Sequence, residues 1–578
     1  MEFGSIYHRA SHNWCYPINK DTLEIKIQTG LDIDSVKICH GDPYEGGIMG
    51  GNWQWQGQVE EIFDVTFLQH HKIWRIQITP KFKRLKYHFE IHCQSEIILL
   101  YENGLMSKAE ANIPGRKIQS FVMPWINEID INTPPAWVKQ TIWYQIFPER
   151  FEKGSIETQD EFLPWGSKIP SNKDVYGGNL QGIINRLDYL SSLGINGIYL
   201  NPIFKASSSH KYDTADYYEI DPSFGNKTTF KTLVEQCHKR GIKIMLDGVF
   251  NHCGEKFPYW LDVLKNGQQS KYYDWFMINK WPIDPLISNT RNNEYYSFAF
   301  EAKMPKLNTN NPTVIEYIAG ICEYWIREFD IDGWRLDVAN EISHELCKVI
   351  HKRTKALKPD IYILGEVWHD SINWLNGDEF DGVMNYPLTS AIDDFWCVEE
   401  ATNRQLEYAL NQCYQRYMKQ TNDALFNLLD SHDTERLFYR VNQNKDIYYQ
   451  QMVLLFTMPG SVSLYYGSEI LMDGGHDPLN RACMPWLKID SGVYNEDLQL
   501  FKKLIHLRKN NQAFLSQNFK FTYNYNHPRI IEYIKDNNIK VVLNCSDKKI
   551  KSPKGKMIFS RKSSLHYIEP GGIHISIQ

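Results

Sequence analysis

Asp332-Gly333-Trp334-Arg335-Leu336-Asp337-Val338-Ala339-Asn340-Glu341 is the stretch on which the reading of this chain turns. It reads as a short buried strand running into a helix, with Arg335 and Asp337 two residues apart. Alternate residues of a strand share one face, so the guanidinium and the carboxylate project together from the strand's C-terminal end. Buried charge is costly unless paired. The pair is therefore either a structural ion pair or a reaction centre, and what stands at neighbouring strand ends decides between them.

On both sides of this stretch, short apolar runs alternate with amphipathic segments. The runs are 141–147, 194–201, 241–250, 333–338, 361–367, 382–386, 424–429 and 461–466. Helical spacing appears over 180–193, 228–240, 313–329 and 342–357. Eight β-then-α units predict a central (β/α)8 TIM barrel, spanning 123–250 and 310–513. Residues 251–309 are too many for a βα loop and predict a small inserted domain after the third strand. Residues 1–122 carry strand-like runs at 22–29, 35–39, 72–79, 85–92 and 96–101, separated by turn residues. They predict an N-terminal β-sandwich, with Pro134-Pro135 marking a linker. Residues 514–578 return to alternation and predict a closing antiparallel β domain.

The 578 residues include 17 Trp and 34 Tyr, an aromatic excess suited to stacking on sugars or bases, or to a large core. A net charge of −6 leaves no basic footprint for nucleic acid. No apolar run approaches the roughly 20 residues of a membrane span; the longest, at 452–466, is broken by Pro459 and Gly460. The first residues lack a basic segment followed by an apolar one, so no secretory signal is expected. Eleven scattered Cys without a CxxC pair predict reduced thiols, a cytoplasmic protein and no zinc site.

In a barrel of this kind chemistry sits at the C-terminal strand ends. Those ends carry Asp247 with Asn251-His252, Arg335 with Asp337, Glu366 with Trp368-His369, and His432-Asp433. One Asp at a strand end is ordinarily a helix cap. Four acidic positions on one rim, with histidines and an arginine, match the needs of glycoside cleavage. There one carboxylate attacks the anomeric carbon while another donates a proton to the leaving oxygen. Arg335 beside Asp337 predicts an ionised nucleophile.

The strings DGVFNH (247–252), GWRLDVANE (333–341), GEVWH (365–369) and FNLLDSHD (426–433) resemble the four signature regions of glycoside hydrolase family 13, the α-amylase family. VANE and MPKL (304–307) are similar to its neopullulanase, cyclomaltodextrinase and maltogenic amylase subgroup. So are IYHR (6–9), HKYDTADYYEIDPSFG (210–225) and MDGGHDPLNRACMPW (472–486). The resemblance implies Asp337 as nucleophile, Glu366 as acid/base and Asp433 as transition-state stabiliser. It implies His210, Tyr212, His252, Arg335 and His432 around the sugar whose bond breaks. It puts Asp477 and Arg481 on the non-reducing side, and Glu341 and Trp368 on the leaving-group side. The implied substrates are cyclodextrins, maltooligosaccharides and pullulan, cleaved at α-1,4 bonds with some transglycosylation. The implied assembly is a homodimer built through the N-terminal module. An intracellular α-glucosidase and an inactive glucan-binding relative are the competing readings.

The subgroup often holds calcium in the loop after the first strand, through a run of Asn and Asp. Here that loop is Arg150-Phe151-Glu152-Lys153-Gly154-Ser155-Ile156-Glu157-Thr158-Gln159. Lys153, Ser155, Thr158 and Gln159 replace the run, and Asn179 stands where the later Gly-Gly-Asp has its acid. No metal and no cofactor are expected. Lys153 is expected either to bond the remaining carbonyls or to point into solvent.

Overall fold

The computed structural model describes residues 1–45, 55, 57–155, 161–284, 286–522 and 527–578. Eight parallel strands form one sheet: β1 Ile142–Ile146, β2 Gly197–Leu200, β3 Lys243–Gly248, β4 Gly333–Leu336, β5 Tyr362–Gly365, β6 Gly382–Val383, β7 Phe426–Asn427 and β8 Ser461–Tyr465. Their order is β6-β5-β4-β3-β2-β1-β8-β7, and a parallel bridge from Met384 to Phe426 closes the ring. Each of the eight runs read from the sequence holds one strand. Almost every strand residue is buried, because helices cover the outside and side chains fill the inside. That two-sided burial makes such strands continuous apolar runs. Trp143, Tyr199, Tyr362 and Phe426 plug the interior, with Trp143 and Tyr362 stacked at 6.1 Å. The barrel is therefore a solid floor beneath its C-terminal rim.

Three of the four expected helices form within a residue or two of their predicted limits: Lys227–Lys239, Pro312–Phe329 and His344–Leu357. Asn226, Asn311 and Ser343 cap them by accepting from first-turn amides. The fourth, 180–193, is instead two helices, Leu180–Asn185 and Leu187–Leu193. The break falls at Arg186, which leaves helical geometry (φ −106°, ψ 8°). Its guanidinium bonds Glu152 (2.6 Å) and both oxygens of Asp490 (2.9 and 3.0 Å), and lies over the Trp486 ring. Propensity along the chain does not register contacts of that kind.

The inserted segment contains the helix Pro258–Asn266, several 3-10 turns and isolated bridges, with no regular sheet among the described residues. An aromatic cluster around Trp260, Phe276 and Tyr295 holds it together. Its end returns to β3, where Leu307 N–H donates to Asn251 O (3.0 Å) and Cys253 N–H to Pro305 O (3.1 Å).

The N-terminal residues form two antiparallel sheets packed on a common core that includes Ile25, Ile38, Trp74 and Phe89. All five predicted strands are present, joined by shorter ones such as Gln58–Glu61 and Asp64–Phe67. The sandwich meets the barrel through Tyr16, whose hydroxyl accepts from Lys419 N–H (3.0 Å), and through Asn13 Nδ2 on Gln415 O (3.2 Å). The C-terminal residues form a six-stranded antiparallel sheet. All eleven cysteines are unpaired thiols. No described helix is long and apolar enough to cross a membrane.

Candidate active site

Strand register assembles the centre. β3 and β4 align Asp247 with Arg335, and β4 and β5 align Leu336 with Gly365. The ladder continues one residue past the strands, with Asp337 N–H on Gly248 O (3.1 Å) and Glu366 N–H on Leu336 O (3.0 Å). Asp337 and Glu366 are thereby set side by side on the rim.

Arg335, fully buried, ties three carboxylates together. Its Nη1 lies 2.9 Å from Asp247 Oδ1 and 2.7 Å from Asp337 Oδ1, and its Nη2 lies 2.9 Å from Glu366 Oε1. Asp247 also accepts from the Tyr199 and Tyr212 hydroxyls (2.6 and 2.9 Å). It sits beneath the cleft as an anchor and is not among the lining residues. Glu366 receives two further donors, Val338 N–H (2.9 Å) on Oε2 and Trp368 Nε1–H (3.3 Å) on Oε1. Val338 has φ 45° and ψ 45°, a left-handed conformation that a β-branched residue adopts only under strain. That strained amide joins the loop of Asp337 to the side chain of Glu366.

Arg335 favours ionisation of Asp337 as expected, but other surroundings oppose it. Burial pushes its carboxyl well above the usual range; Arg335 opposes this, and Glu366, Asp247 and Asp433 add to it. Burial, reinforced by Glu366, likewise pushes Asp433 up to about 7, and burial raises Asp247. Asp337, Asp247 and Asp433 thus share the field of one buried guanidinium, that of Arg335. Arg481 supplies a second cation 3.8 Å from Asp433.

Three histidines surround the cluster, all held neutral by burial: His210 near 4, His252 near 3 and His432 well below its ordinary value. Tyr212 N–H donates to His210 Nδ1 (3.1 Å), and Gln145 Nε2 to His432 Nδ1 (2.8 Å). In both rings the proton is thus on Nε2. His432 Nε2 lies 3.1 Å from Asp433 Oδ2, and its ring is parallel to Tyr212 at 5.3 Å.

The cleft above has a volume of about 470 Å³. Of the residues expected from the sequence, His210, Tyr212, His252, Asp337, Glu366, Trp368, Asp433, Asp477 and Arg481 line it. Arg335 and His432 lie just beneath. Trp368 is half exposed and stacked face to face on Tyr386 at 3.7 Å. Asp477 pairs with Arg481 at 3.0 Å. Glu341 does not line the cleft; its carboxylate faces Lys306 at 3.6 Å. The sequence reading did not single out Asn172, Phe298 and Asn340. Phe298 comes from the irregular inserted segment and stacks on His252 at 4.8 Å, which no local pattern announces.

In the loop after β1, Lys153 takes the second of its expected courses and faces solvent. It is exposed, with Nζ 5.0 Å from the centre of the Phe162 ring. The carbonyls go to Asn179, whose Nδ2 donates to Gly154 O (2.9 Å) and Gly177 O (3.2 Å). Asn179 Oδ1 accepts from Gly154 N–H (3.2 Å) and Gly182 N–H (2.9 Å). Oxygens of the kind calcium takes are thus bonded to an amide, and the described residues do not fit the ion. Thr158 and Gln159 lie outside the described residues.

Known proteins share the fold and much of the sequence. The alpha amylase catalytic domain family matches residues 145–518, and the alpha amylase N-terminal ig-like domain family matches residues 1–127. An intracellular maltogenic amylase of Bacillus subtilis is 44% identical over 520 residues, covering 89% of this chain and 86% of that protein. A cyclomaltodextrinase of Geobacillus thermopakistaniensis (strain MAS1) is 45% identical over 524 residues, covering 89% and 85%. A solved cyclomaltodextrinase structure superposes with a TM-score of 0.90 at 38% identity, covering 100% of both chains. With its barrel, its carboxylate cluster and these relatives, the chain belongs to the α-amylase family, glycoside hydrolase family 13, in the group of cyclomaltodextrinases, maltogenic amylases and neopullulanases.

Proposed function

We propose that the protein is a retaining hydrolase of α-1,4-glucosidic bonds in cyclodextrins, maltooligosaccharides and pullulan, with some transglycosylation. The observation that carries this reading is the sharing of one guanidinium by Asp337 and Glu366. Two carboxyl groups on neighbouring nitrogens suit the close spacing of retaining enzymes, about 5–5.5 Å, rather than the wider gap that an inverting enzyme leaves for water.

In the proposed cycle Asp337 attacks the anomeric carbon as Glu366 passes its proton to the leaving oxygen. Glu366 then takes a proton from water, which releases the sugar from Asp337. Asp433 and His432 hold the sugar's hydroxyls, with His210, His252 and Tyr212 completing its enclosure. Asp477 and Arg481 bind on the non-reducing side. Trp368 offers an aromatic face to the leaving group, and Glu341 acts at the edge of that side.

The occupied carbonyls around Asn179 support a protein that works without calcium. We further read it as a cytoplasmic homodimer in which the N-terminal sandwich narrows the partner's cleft. Removing residues 1–122 is then expected to give monomers in sedimentation and a higher rate on starch relative to cyclodextrin. A full-length monomer that prefers starch refutes this. The deciding experiment for function is chromatography of products from cyclodextrin, pullulan and soluble starch. Maltose and panose are expected. Glucose alone indicates an α-glucosidase, and no product indicates an inactive glucan binder.

A further inference from the structure

Lys306 reaches from the end of the inserted segment across the mouth of β3. Its ammonium donates to Asn251 Oδ1 and to the Glu341 carbonyl (3.0 Å), and faces the Glu341 carboxylate. The backbone of Lys306 forms an antiparallel bridge with His252. With the flanking amide bonds at Cys253 and Leu307, that bridge keeps the segment docked whatever the side chain does.

Asn251 is fully buried. With its oxygen taken by Lys306, its amide nitrogen faces His252 Nδ1 at 3.3 Å. An amide NH2 only donates and an ammonium only donates. Nδ1 of the neutral His252 ring must therefore accept, and the ring's single proton belongs on Nε2. His252 Nε2 makes no hydrogen bond of good geometry among the described residues, although the Tyr212 carbonyl lies near the ring and favours its protonated form; the ring lines the cleft and stacks on Phe298. An N–H that faces a cleft favours a ligand able to accept from it.

We propose that Lys306 is a positioning residue for glycoside cleavage: by orienting the Asn251 amide it sets the tautomer of His252, so that Nε2–H is presented as a donor to a substrate hydroxyl. A flipped Asn251 would aim its oxygen at Nδ1, draw the proton there and leave Nε2 an acceptor. The same ammonium holds the Glu341 carbonyl, so one side chain ties the inserted segment to the loop that follows Asp337. The inference rests on the reading of this cleft as the catalytic site.

The test is a double-mutant cycle on the full-length protein, with kcat/KM on maltotriose and the thermal midpoint as readouts. Lys306→Met is expected to lower kcat/KM about tenfold, as is His252→Ala, the loss of one positioned hydrogen bond. In the His252→Ala background Lys306→Met should change kcat/KM less than twofold, because the two act through one bond. Lys306→Arg, which keeps the donors, should recover most of the activity. Losses that multiply, or a Lys306→Met variant within twofold of wild type, overturn the inference. An unaffected His252→Ala overturns both the inference and the reading of the cleft. Should Lys306→Met fail to fold, Asn251→Asp replaces it. That change turns an acceptor toward Nδ1 and must give a loss that likewise vanishes in the His252→Ala background; a multiplicative loss overturns the inference.

Discussion

Replacing Asn179 with Asp should make the thermal stability of the protein respond to calcium. Asn179 is fully buried and its side chain makes four hydrogen bonds, two as donor and two as acceptor. Asp keeps the acceptors, including the one that caps the helix Leu180–Asn185. It loses both donors and sets a carboxylate against the Gly154 and Gly177 carbonyls. A buried acceptor left unmade costs about 1–3 kcal/mol, so two cost about 2–6 kcal/mol. A negative charge at the helix N-terminus returns about 0.3–1 kcal/mol. The net loss is about 2–5 kcal/mol. For a cooperative unit the size of the matched catalytic domain, residues 145–518, the thermal midpoint moves roughly 1.3 °C per kcal/mol. Calorimetry in EDTA should therefore find Asn179→Asp about 3–6 °C below wild type. The new carboxylate and the two freed carbonyls form an oxygen set for calcium. An ion at a hundredfold its dissociation constant restores about 2.7 kcal/mol, and hence several degrees. Asn179→Ala should lose stability in both buffers, and wild type should be indifferent to EDTA and to calcium. A wild type that gains several degrees in calcium refutes the reasoning. So does Asn179→Asp melting with wild type in EDTA, since the amide's donors would then carry no weight.

Asp337→Asn should fold yet lose hydrolysis by at least roughly a thousandfold, for want of a covalent intermediate; maltotriose turnover within tenfold of wild type would refute the assignment. Glu366→Gln should also be inactive on maltotriose, but azide should partly restore cleavage of a substrate with an activated leaving group. Azide without effect there would argue against an acid/base role. Arg335→Met should cost about 3–5 kcal/mol at neutral pH, since it leaves buried carboxylates uncompensated. Asp337, Asp247 and Asp433 already bind protons more tightly in the folded state than in the unfolded one. Removing the cation strengthens that preference, so the deficit in thermal midpoint should grow as pH rises above the carboxylate range and shrink on acidification. A deficit constant from pH 5 to 8 would contradict the electrostatic account.

Much of this architecture was legible in the chain alone, for a physical reason. Barrel strands are buried on both faces, so they appear as compact apolar runs, and all eight were readable even where β6 and β7 keep only two paired residues each. The carboxylates proposed to act stand at or just past those runs because a strand end is where a side chain can leave the core while its backbone stays fixed. That is why Asp337, Glu366 and Asp433 could be placed on the rim from order and spacing, while their separate roles come from the family resemblance. Folding was needed for whatever depends on neighbours remote in the chain. Arg186 interrupts a helix whose periodicity is continuous, with part of its guanidinium on Asp490, which lies 304 residues away. Asn179, not Lys153, holds the carbonyls near the β1 loop, because reach and burial rather than residue type decide which donor arrives. The upward push on the carboxyls of Asp337, Asp247 and Asp433 comes first from desolvation, which no linear string contains. Lys306 meets Asn251 across 55 residues. The sequence determined which chemical groups are present and on which rim they stand; only the tertiary structure decided which of them touch, how deeply each is buried, and therefore what charge and which tautomer each one carries.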